Sequence, residues 1–379
     1  MKKLSAIVMI FAFSLFVFAD FIPASAVECP EISARGAVVI EAQTGRVLFE
    51  KNANLILPMA STTKIMTTLL CLESGSLDEY FTVDPTAIKV EGSSMGLLEG
   101  DQVTKRILCY GMMLPSGNDA ANVTAVKRAG SIESFAVMMN DRAEQIGMTN
   151  TSFITPSGLD DYTSDHYSTA YDMALLAREA LKNSEFRQIC STKNVKLEYG
   201  NPPYARWLQN SNKLLSTCEG AIGIKTGFTD KAKRCLVSAC ERDGVTLICV
   251  TLNDSNDWND HKSLYDYGFS QVTKTEIELD GASLVLNIVG GDKEYIVLRT
   301  DRTPVFIIDE KDKTRITTKV YLPAFEYAPV EAGRTVGRAE YFYDGKLVAT
   351  IPIVANEAVG ELIVKPKKSI IQKLKDLFD

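Results

Sequence analysis

Histidine is scarce in this chain of 379 residues, which contains only His166 and His261. Neither lies in the H-E-x-x-H pattern of zinc peptidases, and no two of the eight cysteines have the C-x-x-C spacing of zinc ribbons or thioredoxin-like sites. The sequence therefore indicates neither a metal site nor a cofactor. His166 stands in a predicted loop, where we expect it to make structural hydrogen bonds and not to catalyse.

Basic residues are outnumbered, since 41 lysines and arginines face 48 aspartates and glutamates and leave a net charge of −7. This balance argues against a nucleic-acid partner, because binding phosphates requires a basic face. Internal repeats and low-complexity segments are also missing. With 46% hydrophobic residues, the chain is long enough for one large core and a second, smaller domain.

An uncharged apolar run at residues 7–19 is too short to span a bilayer comfortably. Lys2 and Lys3 precede it, and Ala24-Ser25-Ala26 follows it. A basic start, an apolar run and a small-x-small ending are typical of a cleavable signal peptide. We predict a signal peptide over residues 1–26 and a mature protein that works outside the cytoplasm. The alternative is an uncleaved N-terminal anchor.

The cysteines give little evidence of their own. Cys29 follows the predicted cleavage site, but Ala26-Val27-Glu28 does not resemble a lipobox, so we expect no lipid attachment. Most of the others stand in apolar segments, where a thiol is usually a small core hydrophobe; these are Cys71, Cys109, Cys235, Cys240 and Cys249. The sequence leaves open whether any pair is oxidised.

Hydrophobic periodicity predicts an α/β (α+β) domain over residues 27–275. Residues 36–40 and 46–49 flank a turn and predict a β-hairpin. Helices are expected at 61–72, 119–128, 131–146 and 169–181, and strands at 221–225, 235–240 and 245–252. Strands early and late in the domain, with helices between them, predict one antiparallel sheet flanked by helices.

The pattern changes near residue 275. Short β-type runs then predict a small all-β domain over residues 276–364, with strands near 283–289, 295–300, 315–322 and 346–354 and a hairpin turn at Asp344-Gly345. Residues 365–379 predict an amphipathic helix, with lysines opposite an apolar face of Ile370, Ile371, Leu374, Leu377 and Phe378. Such a helix either docks on the protein itself or contacts a membrane surface, and its basic character favours the membrane.

A serine and a lysine stand three positions apart in Ser61-Thr62-Thr63-Lys64, at the start of a predicted helix. Residues i and i+3 share a helical face, so the Ser61 hydroxyl and the Lys64 amine can lie within hydrogen-bond reach. A serine becomes a good nucleophile when a base takes its proton. Lysine can be that base if burial and nearby positive charge keep it neutral. The ordinary alternative is a serine N-cap beside a solvated lysine.

Two further motifs follow. In Ser116-Gly117-Asn118 the hydroxyl can relay a proton and the amide can bind a peptide carbonyl, although such a turn also merely caps a helix. Lys225-Thr226-Gly227 ends the predicted strand 221–225, whose edge can pair with an extended peptide. Its lysine and threonine offer a cation and a hydroxyl to a carboxylate, and its glycine allows a close backbone approach to the substrate. Alone, this motif is also an ordinary strand end.

Together, S-x-x-K, S-x-N and K-T-G in this order form the signature of penicillin-binding proteins and serine β-lactamases. The sequence resembles the low-molecular-mass D-alanyl-D-alanine carboxypeptidases, peptidase family S11. The resemblance covers roughly residues 34–269 and rests on the stretches 58–64, 92–97, 114–121, 157–161, 212–215 and 223–229. It implies the penicillin-binding, serine β-lactamase-like fold, and it extends less specifically to the β-rich domain and the tail.

The resemblance implies that the chain removes the terminal D-Ala from peptidoglycan stem peptides through an acyl-enzyme on Ser61. Lys64 would then be the general base and Ser116 a proton relay. β-Lactams would act as inhibitors. The substrate would be bound by Asn118, Lys225, Thr226 and Gly227, and the backbone N–H groups of Ser61 and Phe228 would form the oxyanion hole.

One departure from the family concerns the substrate carboxylate. Many relatives carry an arginine shortly after the strand that follows K-T-G, but residues 254–261 contain none. We therefore expect carboxylate recognition to rest more on Lys225 and Thr226.

Other functions share these motifs. A β-lactamase is disfavoured, because no E-x-x-L-N stretch separates S-x-N from K-T-G and the appended β-rich domain is unexpected there. Endopeptidase or transpeptidase activity on cross-links is the nearer alternative, since the same acyl-enzyme can form from or react with other amines. A catalytically silent wall-binding protein is a third, against which the intact Ser61, Lys64, Ser116 and Lys225 argue.

Overall fold

The structure is a computed structural model that describes residues 28–160, 163–279, 284–308 and 310–363. The predicted signal peptide (1–26) and amphipathic helix (365–379) lie outside these residues. Within the described ranges, no helix is both long enough and apolar enough to cross a membrane.

Strands and helices alternate irregularly up to residue 270. The strands are β1 (Gly36–Glu41), β2 (Val47–Lys51), β3 (Phe81–Thr82), β4 (Gln102–Val103), β5 (Asn194–Gly200), β6 (Pro203–Gln209), β7 (Ala221–Thr229), β8 (Lys233–Arg242) and β9 (Val245–Leu252). The helices are α1 (Lys64–Glu73), α2 (Lys105–Met113), α3 (Asn118–Ala129), α4 (Ile132–Ile146), α5 (Ala170–Ala180), α6 (Ser184–Ser191), α7 (Leu214–Thr217) and α8 (Asp257–Ser270).

The main sheet is antiparallel and has the strand order β2-β1-β9-β8-β7. Strand β1 pairs with β9 along its length, with Gly36 opposite Leu252. This confirms the prediction that early and late strands meet in one sheet. Strand β7, which carries K-T-G, lies at an edge, so one side of its backbone is open to an added strand.

Both faces of the sheet are covered. Val38 and Ile40 of β1 belong to the large core shared with the helices, whereas Val39 packs on the opposite side with Leu264 and Tyr265 of α8. Side chains alternate between the faces of a strand, and burial on both faces explains why β1 is one continuous apolar run. The result is a three-layer arrangement.

Helix α1 runs through the centre of the helical layer. All of its residues are buried except Glu73, as expected for a core helix. The predicted helix at 61–72 is confirmed, but its first turn, Ala60–Thr63, is a 3-10 turn. The helices predicted near 119–128, 131–146 and 169–181 are confirmed as α3, α4 and α5. The sequence patterns did not predict α2, α6, α8 or the β5–β6 hairpin.

The remaining chain is almost entirely β-structure. Its strands are β10 (Lys274–Glu276), β11 (Val285–Val289), β12 (Tyr295–Thr300), β13 (Val305–Ile307), β14 (Ile316–Tyr321), β15 (Glu326–Tyr327), β16 (Thr335–Tyr343) and β17 (Lys346–Ala355). Six of them form a sheet in the order β14-β16-β17-β12-β11-β15, and β10 pairs with β13. The sheet has its own apolar cluster, which includes Phe306 and Tyr341. Asp344-Gly345 turns the β16–β17 hairpin as predicted.

Candidate active site

Ser61 lies in the 3-10 turn that leads directly into α1. The neighbouring hydroxyls hold this turn: Thr62 Oγ1 donates to the Met59 carbonyl at 2.6 Å, and Thr63 Oγ1 donates to the Ala60 carbonyl at 2.8 Å. Ala60 itself has a positive φ of 48°, which non-glycine residues rarely adopt. The tight turn sets Ser61 at the wall of an open groove.

The Lys64 amine is surrounded by three oxygen atoms. Its Nζ lies 2.9 Å from Ser61 Oγ, 2.7 Å from Asn118 Oδ1 and 2.7 Å from the Ser157 carbonyl oxygen. The predicted contact between the serine and lysine of S-x-x-K is therefore present in the structure. The Asn118 and Ser157 oxygens can only accept hydrogen bonds, so the amine must direct an N–H group at each of them.

Burial lowers the pKa of Lys64 well below its usual value, and the nearby charge of Lys225 lowers it further, while Asp119 opposes the shift. A neutral amine has two N–H donors and one lone pair. If its hydrogens bond Asn118 Oδ1 and the Ser157 carbonyl, the lone pair is left for Ser61 Oγ–H. That is the arrangement required of a base that takes the serine proton.

The S-x-N turn is fixed on the opposite side of Lys64. Asn118 is buried and its amide is engaged at both ends, since Nδ2 donates to the Glu91 carbonyl at 2.7 Å while Oδ1 faces Lys64. This arrangement supports a positioning role for Asn118, and its predicted contact with a substrate carbonyl stays a prediction. Ser116 has a positive φ of 67° and lines the groove with Ser61.

Asp119 anchors the loop that covers this turn. Its carboxylate accepts hydrogen bonds from the Ser94 hydroxyl at 2.6 Å and from the backbone N–H groups of Met95, Gly96 and Leu97 at 3.0–3.1 Å. The Asn118 N–H also donates to the Ser93 carbonyl at 2.7 Å. The resemblance singled out the stretch 92–97, and these contacts give it a structural role.

The K-T-G motif lies inside β7 and not at the end of a strand, because β7 continues to Thr229. Gly227 is packed against the nucleophile turn: a Cβ there would lie 3.1 Å from the Met59 carbonyl oxygen and 3.2 Å from Ser61 N. The sequence predicted that this glycine allows a close approach to the substrate. In the structure, the group that it approaches is the backbone of the Ser61 turn.

Lys225 is almost completely buried, and its Nζ donates to the Thr226 carbonyl at 2.9 Å. Burial lowers the pKa of this amine to about 7. Its charge at neutral pH is therefore finely balanced, and a carboxylate in the groove would favour the protonated form. Thr226, Gly227 and Phe228 line the groove.

His166 has the structural role that the sequence predicted. Its Nδ1 accepts from the Ile154 N–H at 2.9 Å, so the neutral ring carries its hydrogen on Nε2, which lies 2.8 Å from Thr63 Oγ1. Burial lowers the pKa of His166 to about 4, with smaller contributions from Lys231 and Lys64. The histidine thus steadies the turn that carries Ser61.

The sequence patterns did not identify Arg234 as a residue of the groove. It lines the groove, which has a volume of about 380 Å³, together with Asp257 and Trp258. Its Nη2 lies 2.6 and 2.8 Å from the two carboxylate oxygens of Asp257, and its guanidinium stands over the Trp258 ring at 5.4 Å. Arg234 of β8 thus places a positive charge beside the stretch 254–261. The sequence holds no local signal for it, because its place is set by the β7–β8 register, which puts Arg234 opposite Phe228.

Comparisons with known proteins agree with this geometry. Residues 23–256 match the peptidase S11 model, described as D-alanyl-D-alanine carboxypeptidase, and residues 273–361 match the C-terminal domain of penicillin-binding protein 5. D-alanyl-D-alanine carboxypeptidase DacF of Bacillus subtilis is 32% identical over 335 residues, which cover 86% of this chain and 85% of DacF.

Two solved structures are similar to this one. D-alanyl-D-alanine carboxypeptidase DacD from Francisella tularensis has a TM-score of 0.64 and 25% identity, covering 92% of this chain and 98% of DacD. The DD-transpeptidase of Streptomyces K15 has a TM-score of 0.61 and 35% identity, covering 64% of this chain and all of that one.

These matches confirm the penicillin-binding-protein fold with its appended all-β domain. They also support serine-type D-Ala-D-Ala carboxypeptidase activity on peptidoglycan, as the family resemblance implied. The chain belongs to the D-alanyl-D-alanine carboxypeptidases of peptidase family S11.

Proposed function

We propose that Ser61 is the nucleophile that removes the terminal D-Ala from stem peptides, with Lys64 as its base. The observation that carries this proposal is the 2.9 Å separation of Lys64 Nζ and Ser61 Oγ, with acceptor-only oxygens filling the other two sites around Nζ. Ser61 Oγ attacks the carbonyl of the penultimate D-Ala while its proton moves to Lys64.

The C–N bond then breaks, and the proton passes through the Ser116 hydroxyl to the departing amine of D-Ala. Water attacks the resulting ester, its proton returns through Lys64 to Ser61 Oγ, and the shortened peptide leaves with a new carboxylate. The oxyanion is held by the N–H groups of Ser61 and Phe228. The close packing of Gly227 on Ser61 N supports this pairing, because it brings β7 to the nucleophile.

The substrate carboxylate is bound by Lys225, Thr226 and Arg234. Arg234 is 40% exposed, and its bonds to Asp257 both use Nη2, so Nη1 has no hydrogen-bond partner among the described residues. A guanidinium held from one side by a buried carboxylate is well suited to bind a second carboxylate. Arg234 therefore takes the place of the arginine that residues 254–261 lack.

The enzyme works outside the cytoplasmic membrane, where peptidoglycan lies, after removal of residues 1–26. Residues 27–275 form the catalytic domain and 276–364 the β-rich domain. The tail at 365–379 touches the membrane surface through its apolar face. β-Lactams acylate Ser61, because they present a carbonyl and a carboxylate to the same groove.

The test uses a fluorescent penicillin and a peptide ending in D-Ala-D-Ala. Wild type is expected to carry covalent label on a denaturing gel and to release D-Ala, and folded Ser61→Ala to do neither. Label without D-Ala release would instead favour the transpeptidase alternative. Wild type that is folded but lacks both properties would contradict the enzyme and leave a wall-binding protein.

A further inference from the structure

Cys218 and Cys240 lie together at the base of the hairpin that carries K-T-G. Cys218 directly follows α7, and Cys240 stands in β8 opposite Ala221, the first residue of β7. Both sulfur atoms face one backbone oxygen, the Glu219 carbonyl, at 3.8 Å from Cys218 Sγ and 3.2 Å from Cys240 Sγ. Both sulfur atoms therefore lie beside the same peptide group at the base of the hairpin.

The two thiols differ in access and in acidity. Cys218 is partly exposed, whereas Cys240 is buried. The neighbouring Cys240 thiol and the charge of Arg242 lower the pKa of Cys218 to about 6, although burial opposes this shift. The proximity of Cys218, together with burial, raises the pKa of Cys240. The accessible sulfur therefore ionises more readily than its buried neighbour.

We propose that Cys218 and Cys240 form a redox-active pair that is converted into a disulfide by exchange with a small-molecule disulfide outside the cell. The Cys218 thiolate attacks one sulfur of the small disulfide, whose S–S bond breaks and releases the first thiol. Cys240 then loses its proton to solvent and attacks the Cys218 sulfur, which expels the second thiol. Two protein thiols are oxidised, and one disulfide is reduced to two thiols.

The new bond would close a loop that contains all of β7, including Lys225 and Gly227. It would also link the end of α7 covalently to β8. Ser211 and Lys213, just before α7, line the groove. Closing a loop of this length restricts the unfolded chain. We expect the thermal midpoint to rise by about 5 °C, with D-Ala release at room temperature nearly unchanged.

Cys71 and Cys109 provide an internal control. Both are buried, Cys71 in α1 and Cys109 in α2, and burial raises the pKa of Cys109. A small disulfide reaches neither sulfur in the folded protein. Oxidation should therefore discriminate between a partly exposed pair and a buried pair.

The experiment incubates the reduced full-length secreted chain with oxidised glutathione, blocks free thiols and maps the peptides by mass spectrometry. The proposal predicts a peptide cross-linked through Cys218 and Cys240, reversed by dithiothreitol, while Cys71 and Cys109 stay reduced. Cys240→Ala should retain one glutathione on Cys218, and Cys218→Ser should take up none on Cys240. D-Ala release confirms that each variant is folded.

Two results would overturn the proposal: a folded wild type in which Cys218 and Cys240 remain reduced, or oxidation of Cys71 and Cys109 at the same rate. Neither result depends on the catalytic roles proposed above, because the readout is thiol chemistry.

Discussion

Arg234 and Asp257 form an ion pair across the mouth of the groove, with Nη2 2.6 Å and 2.8 Å from the two carboxylate oxygens. The aspartate is almost completely buried, whereas the arginine is 40% exposed to the groove. The pair holds one cation at a fixed place and leaves part of it free, which is the basis of the first prediction.

Arg234→Gln should raise the KM for D-Ala release about 10- to 100-fold, as expected for loss of a charge-assisted hydrogen bond to a carboxylate. The kcat should change less. The matched measurement uses a peptide whose terminal carboxylate is replaced by an amide. Wild type and variant should cleave the amide with similar kcat/KM, and an equal loss on both peptides would contradict a role in carboxylate binding.

Asn118→Asp tests whether Asn118 keeps Lys64 neutral. The substitution preserves the shape of the side chain but sets a negative charge at the position 2.7 Å from Lys64 Nζ. An opposite charge at this distance favours the ammonium form, which cannot take a proton. We expect acylation by a fluorescent penicillin at pH 7 to fall about 100-fold, the scale of a lost general base, and to recover partly at high pH. If the folded variant is acylated at the wild-type rate, Asn118 does not keep Lys64 neutral.

The pH profile of kcat/KM should fall above neutrality. In the proposed mechanism Lys225 binds the carboxylate as a cation, and burial lowers the pKa of its amine to about 7. This group is active while protonated, so its contribution is lost as the pH rises through about 7. Because kcat/KM reports ionisations of the free enzyme, the fall should be visible at low substrate concentration. Lys225→Arg, which stays charged, should flatten it.

The free energy of unfolding should already decrease as the pH falls below about 6.5, before most carboxylates titrate. The pKa of His166 is about 4 in the folded protein, against about 6.5 in an unfolded chain. The unfolded state therefore binds more protons between these values, so the stabilisation present above pH 6.5 is lost as the pH falls towards 4. His166→Gln should reduce the loss of unfolding free energy between pH 7.5 and 5 by about 2 kcal/mol, measured with urea. An unchanged loss would contradict the buried neutral histidine.

His261 should contribute to the same acid sensitivity. Burial lowers the pKa of this imidazole to about 3, and from α8 it reaches Ser238 Oγ of β8 at 2.6 Å and Thr251 Oγ1 of β9 at 3.0 Å. His166→Gln retains this second contribution, so the variant should still lose stability in acid, only less steeply.

The sequence predicted the site through local patterns. Ser61 and Lys64 share one turn, and the three motifs together with the stretches around them resemble one family, so both residues could be proposed without coordinates. Asn118 shows the limit: its motif was recognised, but its two side-chain hydrogen bonds, with the Glu91 carbonyl and Lys64 Nζ, join parts of the chain that are distant in sequence. Arg234 could not be assigned because its place depends on strand register and on the packing of α8, which are set by contacts distant in sequence.

The protonation of Lys64 at rest tests the account most directly. The measurement is an NMR titration of protein with 13C-labelled lysine, in which the Lys64 signal is identified by its absence from Lys64→Arg. We expect the Lys64 amine to lose its proton well below the pH at which an exposed lysine titrates, with no transition near the usual lysine pKa. A Lys64 signal that stays protonated up to pH 10 would contradict the proposed base, even if Ser61 is the nucleophile.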